Sequence, residues 1–473
     1  MTSPIKFGTD GWRALIADTY TFENVRICAE AFARYLEGEG LAGRGVVVGY
    51  DTRFGSERFA EAAAAVVAAH GIKVLLTDNF APTPAVSHAT VQNNAGGAIV
   101  ITASHNPGAY NGFKIKPHYG GSASPEIVAR VEAVIPEIAA SGRFATDGSA
   151  PSGDVTRFDA RGPYLDQLRG LLDVQALRAA PLRVLHDSMF GTAQGWLAEL
   201  LAGGKLQFSE LHAQVNPAFP GIRAPEPIDR NLGEAMALMK GGGFDVGFAT
   251  DGDADRIGIL DESGNYLDQL QVFGLLAYYL LDVRGERGPI VKSVTTTGMV
   301  ERLAEIYGVP LIETPVGFKY LGPEMMKHDA IVAGEESGGY GFRGHIPERD
   351  GILSALYFLD FIVRTGKKPS QLLAELYERV GPHFYERVDV TIDERRREQI
   401  VESTASASPA SIAGRSVASH DTVDGYRWRL DGGGWLLIRF SGTEPLMRVY
   451  TEVPDKALVK PVLDEGLKIA GVA

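Results

Sequence analysis

Cysteine is nearly absent from this chain. Cys28 is the only one in 473 residues, which excludes an intramolecular disulfide and any cysteine-built metal cluster. Its surroundings, Val25-Arg26-Ile27-Cys28-Ala29-Glu30-Ala31-Phe32, have an apolar helical pattern, so the thiol is expected to pack in a core rather than act as a nucleophile. Long apolar runs are missing as well. None approaches the ~18 residues of a membrane span. Met1-Thr2-Ser3-Pro4 lacks the basic and apolar regions of a secretory leader, so a cytoplasmic protein is expected. Positive charge is scarce: 46 Lys and Arg against 59 Asp and Glu leave a net charge of -13. That argues against nucleic acid and anionic membrane as partners, and leaves room for a locally basic cleft around a small anion.

Glycine is plentiful, with 56 residues, which suits many tight turns between strands and helices. The length exceeds one core and calls for roughly three to four domains. The pattern of elements repeats. Gly45–Tyr50 reads as a buried strand, Glu57–His70 as an alanine-rich helix, Ile72–Leu76 as a strand, and a second helix starts near Pro84. A third strand, Gly97–Ile101, delivers the loop Thr102-Ala103-Ser104-His105-Asn106-Pro107. The order recurs from about Pro151, where a third strand, Phe244–Ala249, runs into Thr250-Asp251-Gly252-Asp253-Ala254-Asp255-Arg256. It recurs again from Pro289, where Ala330–Ala333 leads into Gly334-Glu335-Glu336-Ser337-Gly338-Gly339. Strands alternating with helices predict βαβ units and mainly parallel sheets. The remainder, with strands at 387–392, 434–440 and 447–453, predicts an α+β module with antiparallel pairing. The expected fold is therefore α/β, with domains at 1–150, 151–257, 258–366 and 367–473, and with the three third-strand loops facing one cleft.

Each loop has its own chemistry. Ser104 lies just past the C-terminal end of a strand, where ligands bind in open α/β sheets. It suits either a hydrogen-bonded turn or a nucleophile, with His105 and Lys114 near enough in sequence to handle protons. Asp251, Asp253 and Asp255 have the alternating spacing of oxygen ligands to a hard divalent cation. An EF-hand is disfavoured, because Arg256 stands where that loop needs glycine and the flanks read as strands. The alternative to a magnesium site is an Asx-rich surface turn. Phe7-Gly8-Thr9-Asp10-Gly11-Trp12-Arg13 ends in an arginine suited to phosphate or carboxylate, or reads simply as a turn with a surface arginine. Glu335 and Ser337 suit sugar hydroxyls. Arg439-Phe440-Ser441-Gly442-Thr443 combines a guanidinium, hydroxyls and glycine-exposed N–H groups, a set that suits phosphate. Lys319 and the run His345–Gly351 add candidate phosphate-binding cations. Together these loops describe phosphoryl transfer on a phosphorylated polyol.

In that order the motifs resemble those of the α-D-phosphohexomutase superfamily, the phosphoglucomutases and phosphomannomutases, over essentially the whole chain. The resemblance implies four domains around a central cleft and a Ser104 that carries a phosphoryl group. It implies Mg2+ held by Asp251, Asp253, Asp255 and a phosphoserine oxygen, and glucose 1,6-bisphosphate as intermediate and activator. It gives His105 and Lys114 acid–base roles, the lysine needing a pKa lowered by neighbouring cations. Arg13 and Arg256 would orient the reacting phosphate, Glu335 and Ser337 would bind the sugar, and Arg439, Ser441, Gly442 and Thr443 would hold the distal phosphate. Several relatives end the sugar loop in histidine where this chain has Gly339, which argues against glucosamine phosphate. Glucose phosphate is the first expectation and mannose phosphate the second, in a monomer or homodimer. A phosphatase or a sugar-phosphate sensor is the rival reading.

Overall fold

The computed structural model describes residues 5–146, 153–441 and 445–472. Among the described residues, four sheets follow one another along the chain. The first runs in the order Trp12–Leu15, Tyr110–Pro117, Gly97–Ile101, Val46–Tyr50, Val74–Thr77, Val155–Phe158. Its central strands, Val46–Tyr50 and Gly97–Ile101, are buried at every position, as expected for strands covered by helices on both faces. The second sheet runs Tyr266–Leu267, Ile257–Leu260, Val246–Thr250, Arg183–Asp187, Gln207–Leu211, and the third Leu311–Thr314, Ile290–Ser293, Val332–Gly334, Tyr340–Phe342.

These three sheets share one device. In each, one earlier strand pairs in parallel with the strand ahead of the functional loop, in registers such as Val46 with Gly97, Val184 with Val246 and Ile290 with Val332. That strand then pairs antiparallel with the strand after the loop, as in Ile101 with Phe113, Thr250 with Ile257 and Gly334 with Tyr340. Each loop is thus clamped at both ends by a ladder. The EF-hand alternative falls here, because the aspartate loop joins two antiparallel strands. The fourth sheet is antiparallel throughout, with Phe384–Thr391, Leu446–Val453, Trp435–Phe440, Tyr426–Leu430, Arg415–Asp421 and Ser411–Ile412 in that order.

Strand pairing and packing run across the positions at which the sequence suggested seams. Strand Val155–Phe158 pairs with Val74–Thr77 and so completes the first sheet beyond residue 150. A seam at 257/258 cuts strand Ile257–Leu260, whose sheet continues to Leu267. Helix Pro369–Val380, beyond 366, buries Leu372 and Leu376 in the core that holds helix Gln269–Tyr278. One apolar cluster runs from Val47 and Val100 through Trp196 and Phe248 to Phe358, so the first three units share packing that single-domain patterns do not reveal. Helix Gly351–Thr365 lies inside it, capped by Asp350, whose side chain accepts from Leu353 N at 2.9 Å. Cys28 is buried in helix Phe22–Gly38, as its neighbours implied. Among the described residues, no helix is long and apolar enough to cross a membrane.

Candidate active site

Ser104 is buried and sits in the left-handed region at φ 53°, a conformation that costs energy for a residue with a side chain. Thr102 Oγ1 accepts its N–H at 2.8 Å, and Thr102 N is fixed to Gly112 O at 3.0 Å. The serine Oγ donates to Asp251 Oδ2 at 2.9 Å and lies 3.3 Å from His105 Nδ1. Burial, helped by Arg256, Arg13, Lys114 and Arg53, drives the His105 pKa well below the ordinary imidazole range, so the ring is neutral.

Asp251, Asp253 and Asp255 are fully buried, and one oxygen from each lies within 4.8 Å of the others. The loop is pinned from several sides. Ala254 takes a left-handed turn at φ 58°, Arg256 N donates to Asp251 Oδ1 at 3.1 Å, and Thr83 Oγ1 donates to Asp253 Oδ2 at 2.6 Å. Burial and its two neighbouring carboxylates push the Asp251 pKa well up. At Asp253 burial is outweighed by Lys114 and Thr83, which lower it. Among the described residues, the buried Oδ1 atoms of Asp253 and Asp255 have no hydrogen-bond partner. Convergent carboxylates with unused oxygens fit a hard divalent cation.

Lys114 differs from expectation. Its pKa is not lowered: burial disfavours the ammonium, but Asp10 at 2.8 Å, Asp253 at 2.7 Å and Asp255 at 3.1 Å outweigh it and raise the pKa. With those carboxylates around it, the side chain is a fixed cation and hydrogen-bond donor rather than a base. Arg13 reaches Asn106 Oδ1 at 2.7 Å, and Arg256 Nε stands 3.8 Å from Asp255 Oδ1. Both therefore border the Ser104–aspartate centre.

The third loop turns tightly, with Gly338 N donating to Glu335 O at 3.2 Å. Burial raises the Glu335 pKa against the opposing charges of Arg349 and Arg256. Ser337 Oγ is buried without a hydrogen-bond partner among the described residues. Lys319, in the first turn of helix Phe318–His328, is lowered by burial and by Arg439 while Asp10 acts the other way, so it feels charges from the first and fourth units together. Arg439 itself pairs with Asp424 at 2.9 Å, and Ser441 N donates to Leu446 O at 2.8 Å. Gly442 and Thr443 lie outside the described residues.

Sequence reading gave no role to Asp10 or Arg53 and took Arg349 only as one of the candidate phosphate-binding cations of the run His345–Gly351; the fold brings all three here. Asp10 accepts from Lys114 and from Arg349 Nη2, the latter at 2.5 Å. Arg349 also lies 2.8 Å from Asp255 Oδ2 and 3.6 Å from Glu335 Oε2, linking three loops. A Cβ on Gly339 would stand 2.3 Å from Arg349 Cδ, so that glycine makes room for the arginine. Arg53 holds the serine loop from behind; its one available sequence signal was its place just after strand Val46–Tyr50.

Comparison with known proteins agrees with this architecture. The chain matches the phosphoglucomutase/phosphomannomutase alpha/beta/alpha domain I over residues 4–141, domain II over 162–264, domain III over 268–380 and the C-terminal domain over 399–468. It is 32% identical over 463 residues to a phosphoglucomutase/phosphomannomutase of Thermococcus kodakarensis, covering 98% of each chain. It is 33% identical over 472 residues to a phosphoglucosamine mutase of Cereibacter sphaeroides, covering 97% of each. A candidate phosphomannomutase of known structure from Thermus thermophilus superposes with a TM-score of 0.86 at 35% identity over 100% of both chains. With all four domains matched in order, the chain belongs to the phosphoglucomutase/phosphomannomutase family of the α-D-phosphohexomutase superfamily and is an enzyme of that family.

Proposed function

We propose that the chain interconverts hexose 1-phosphate and hexose 6-phosphate, glucose phosphate first and mannose phosphate second, through a phosphoserine at Ser104 and a 1,6-bisphosphate. The observation that carries this reading is the buried Ser104 hydroxyl bonded at 2.9 Å to one of three convergent aspartates. Mg2+ held by Asp251, Asp253 and Asp255 would draw charge from the transferring phosphoryl group. The neutral His105 Nδ1, 3.3 Å from Ser104 Oγ, is suited to take the hydroxyl proton. Lys114, as an ammonium, and Arg13 and Arg256 offer donors to phosphoryl oxygens at the same centre. Glu335 and Ser337 are assigned the sugar hydroxyls, and Lys319, Arg439, Ser441, Gly442 and Thr443 the distal phosphate. Burial of Ser104, Lys114 and the three aspartates restricts water there and so favours transfer over hydrolysis. The same reading carries a cytoplasmic, monomeric or dimeric enzyme and glucose 1,6-bisphosphate as activator.

A glucosamine phosphate substrate is the second reading, favoured by phosphoglucosamine mutases among relatives at 33% identity. The test is turnover of glucose, mannose and glucosamine 1-phosphates in parallel, with Mg2+, a trace of the matching 1,6-bisphosphate, and Ser104→Ala as control. Conversion without free phosphate, lost in the control, is expected. Phosphate release would favour a phosphatase, and no turnover on any sugar would overturn the mutase reading. The relative rates rank the sugars.

A further inference from the structure

Arg53 has no role in the reading above, yet it is buried beneath the loop that reading depends on. Its two Nη atoms carry four N–H donors, and each meets a backbone carbonyl of that loop. Nη2 reaches Ser104 O at 2.7 Å and Asn106 O at 2.6 Å. Nη1 reaches Pro107 O at 2.9 Å and Tyr110 O at 3.0 Å. Nε stands 3.1 Å from Asp51 Oδ2, and the guanidinium lies 5.1 Å from the centre of the Phe219 ring. Four carbonyls converging on one point repel one another unless a cation with several donors sits among them. A planar guanidinium fills that place, and a single ammonium cannot reach all four.

Asp51 is fixed in turn, accepting from Arg53 N at 2.9 Å and Ser56 Oγ at 2.6 Å. The residue between them faces the other way. Thr52 Oγ1 donates to Phe190 O at 2.8 Å, in a segment where Thr192 N bonds Gly252 O at 3.0 Å. A Cβ on Gly191 would stand 2.7 Å from Asp251 O, and one on Gly252 would stand 2.4 Å from Ser104 O. One short segment after strand Val46–Tyr50 therefore grips the serine loop with Arg53 and, through Thr52, the backing of the aspartate loop.

We propose that Arg53 is a positioning residue for the nucleophile: by binding the carbonyls of Ser104, Asn106, Pro107 and Tyr110, it holds Ser104 in its left-handed conformation with Oγ against Asp251. This inference rests on the phosphoserine reading, and the sugar and phosphate loops are outside its reach. Arg53→Ala is expected to lower kcat at least 100-fold while KM and the calorimetric Kd for glucose 6-phosphate stay within threefold. Methylguanidinium in the buffer is expected to restore kcat more than tenfold. Arg53→Lys, which keeps the charge and most of the stem, is expected to remain at least tenfold impaired. Amide exchange over residues 104–110 is expected to speed up at least tenfold in both variants and to slow again with methylguanidinium in Arg53→Ala. The proposal is overturned if either variant keeps wild-type kcat and loop protection, or if binding falls as far as kcat with no rescue by methylguanidinium. If Arg53→Ala does not fold, the kcat and loop exchange of Arg53→Lys decide alone. A wild-type protein that turns over no sugar would overturn the mutase reading instead, and the exchange data would then judge Arg53 separately.

Discussion

Ser104 Oγ and Asp251 Oδ2 meet at 2.9 Å across 147 residues of chain. Both stand just past the ends of equivalent strands, Gly97–Ile101 and Val246–Thr250, each held between a parallel and an antiparallel neighbour. Repeating one fold and facing the copies toward each other turns two ordinary loop positions into a hydroxyl–carboxylate pair. A third copy brings Glu335 into the same network through Arg349.

The aspartate loop makes the first prediction. Thr83 and Lys114 both donate to Asp253 Oδ2, while Oδ1 has no hydrogen-bond partner among the described residues. In Asp253→Asn an amide oxygen can keep both bonds, so the fold should hold. What disappears is one negative charge facing the cation site. Turnover should fall by about 100-fold or more, the scale of losing one electrostatic contact to a transition state. Calorimetric Mg2+ binding should weaken in parallel, with an unchanged circular dichroism spectrum. Full activity at the wild-type Mg2+ requirement would refute the metal assignment.

Gly339 and Arg349 make the second. A Cβ at 339 would lie 2.3 Å from Arg349 Cδ and 2.7 Å from Cγ, distances that only displacement of the arginine relieves. Gly339→Ala should therefore release Asp10, Asp255 and Glu335 from their shared guanidinium and reduce kcat/KM about tenfold or more. The damage should depend on the arginine. Gly339→Ala added to Arg349→Ala should cost little further, which a double-mutant cycle on kcat/KM measures. Additive losses would mean that the glycine matters for another reason.

The parts of the site that are legible in sequence are local ones. Ser104 with His105, the three aspartates, and Glu335 with Ser337 each lie on one loop whose strand is written in a short apolar run, so residue type and order carry them. Asp10, Thr83, Arg53 and Arg349 act only through partners brought near by folding; Arg349 and Asp10, for example, are 339 residues apart. The Lys114 charge state is hidden for the same reason. Nothing near it in sequence announces the carboxylates of Asp10, Asp253 and Asp255 that the fold places around it. The unit seams escape sequence reading because a strand such as Val155–Phe158 joins a sheet whose other members lie far upstream.

A buried ion pair joins the first and third units and gives the third prediction. Lys116 Nζ lies 2.5 Å from Glu348 Oε2, which also accepts from Ser122 Oγ at 2.7 Å, and both charged side chains are fully buried. Removing one partner leaves the other charge in a poorly polarisable interior. Lys116→Met should lower unfolding free energy by about 3–5 kcal/mol. Replacing both residues by apolar ones of similar volume should recover much of that loss. Chemical denaturation of the two variants checks both statements, and a loss under about 1 kcal/mol in Lys116→Met would contradict them.

The pH dependence of stability should carry the mark of His70. Its ring lies 3.0 Å from Glu30 Oε2 and 2.9 Å from Glu37 Oε1. Hydrogen bonding to Glu30 raises its pKa against the cost of burial, with Glu37 adding to the rise. Glu30 moves the opposite way. Burial disfavours its charge, but His70, the backbone of Ala145 and Arg34 outweigh that and bring it down to about 2. The histidine contribution is complete below the unfolded imidazole value of about 6.5 and is lost as pH rises through the raised folded value. The Glu30 contribution is present above the unfolded carboxyl value of about 4.3 and is lost as pH falls toward about 2. The pair therefore stabilises most between those two unfolded values. His70→Gln should lower the melting temperature more at about pH 5.5 than at about pH 9, because the histidine contribution is lost as pH rises. Equal losses at both pH values would mean that the ring contributes packing alone, without charge.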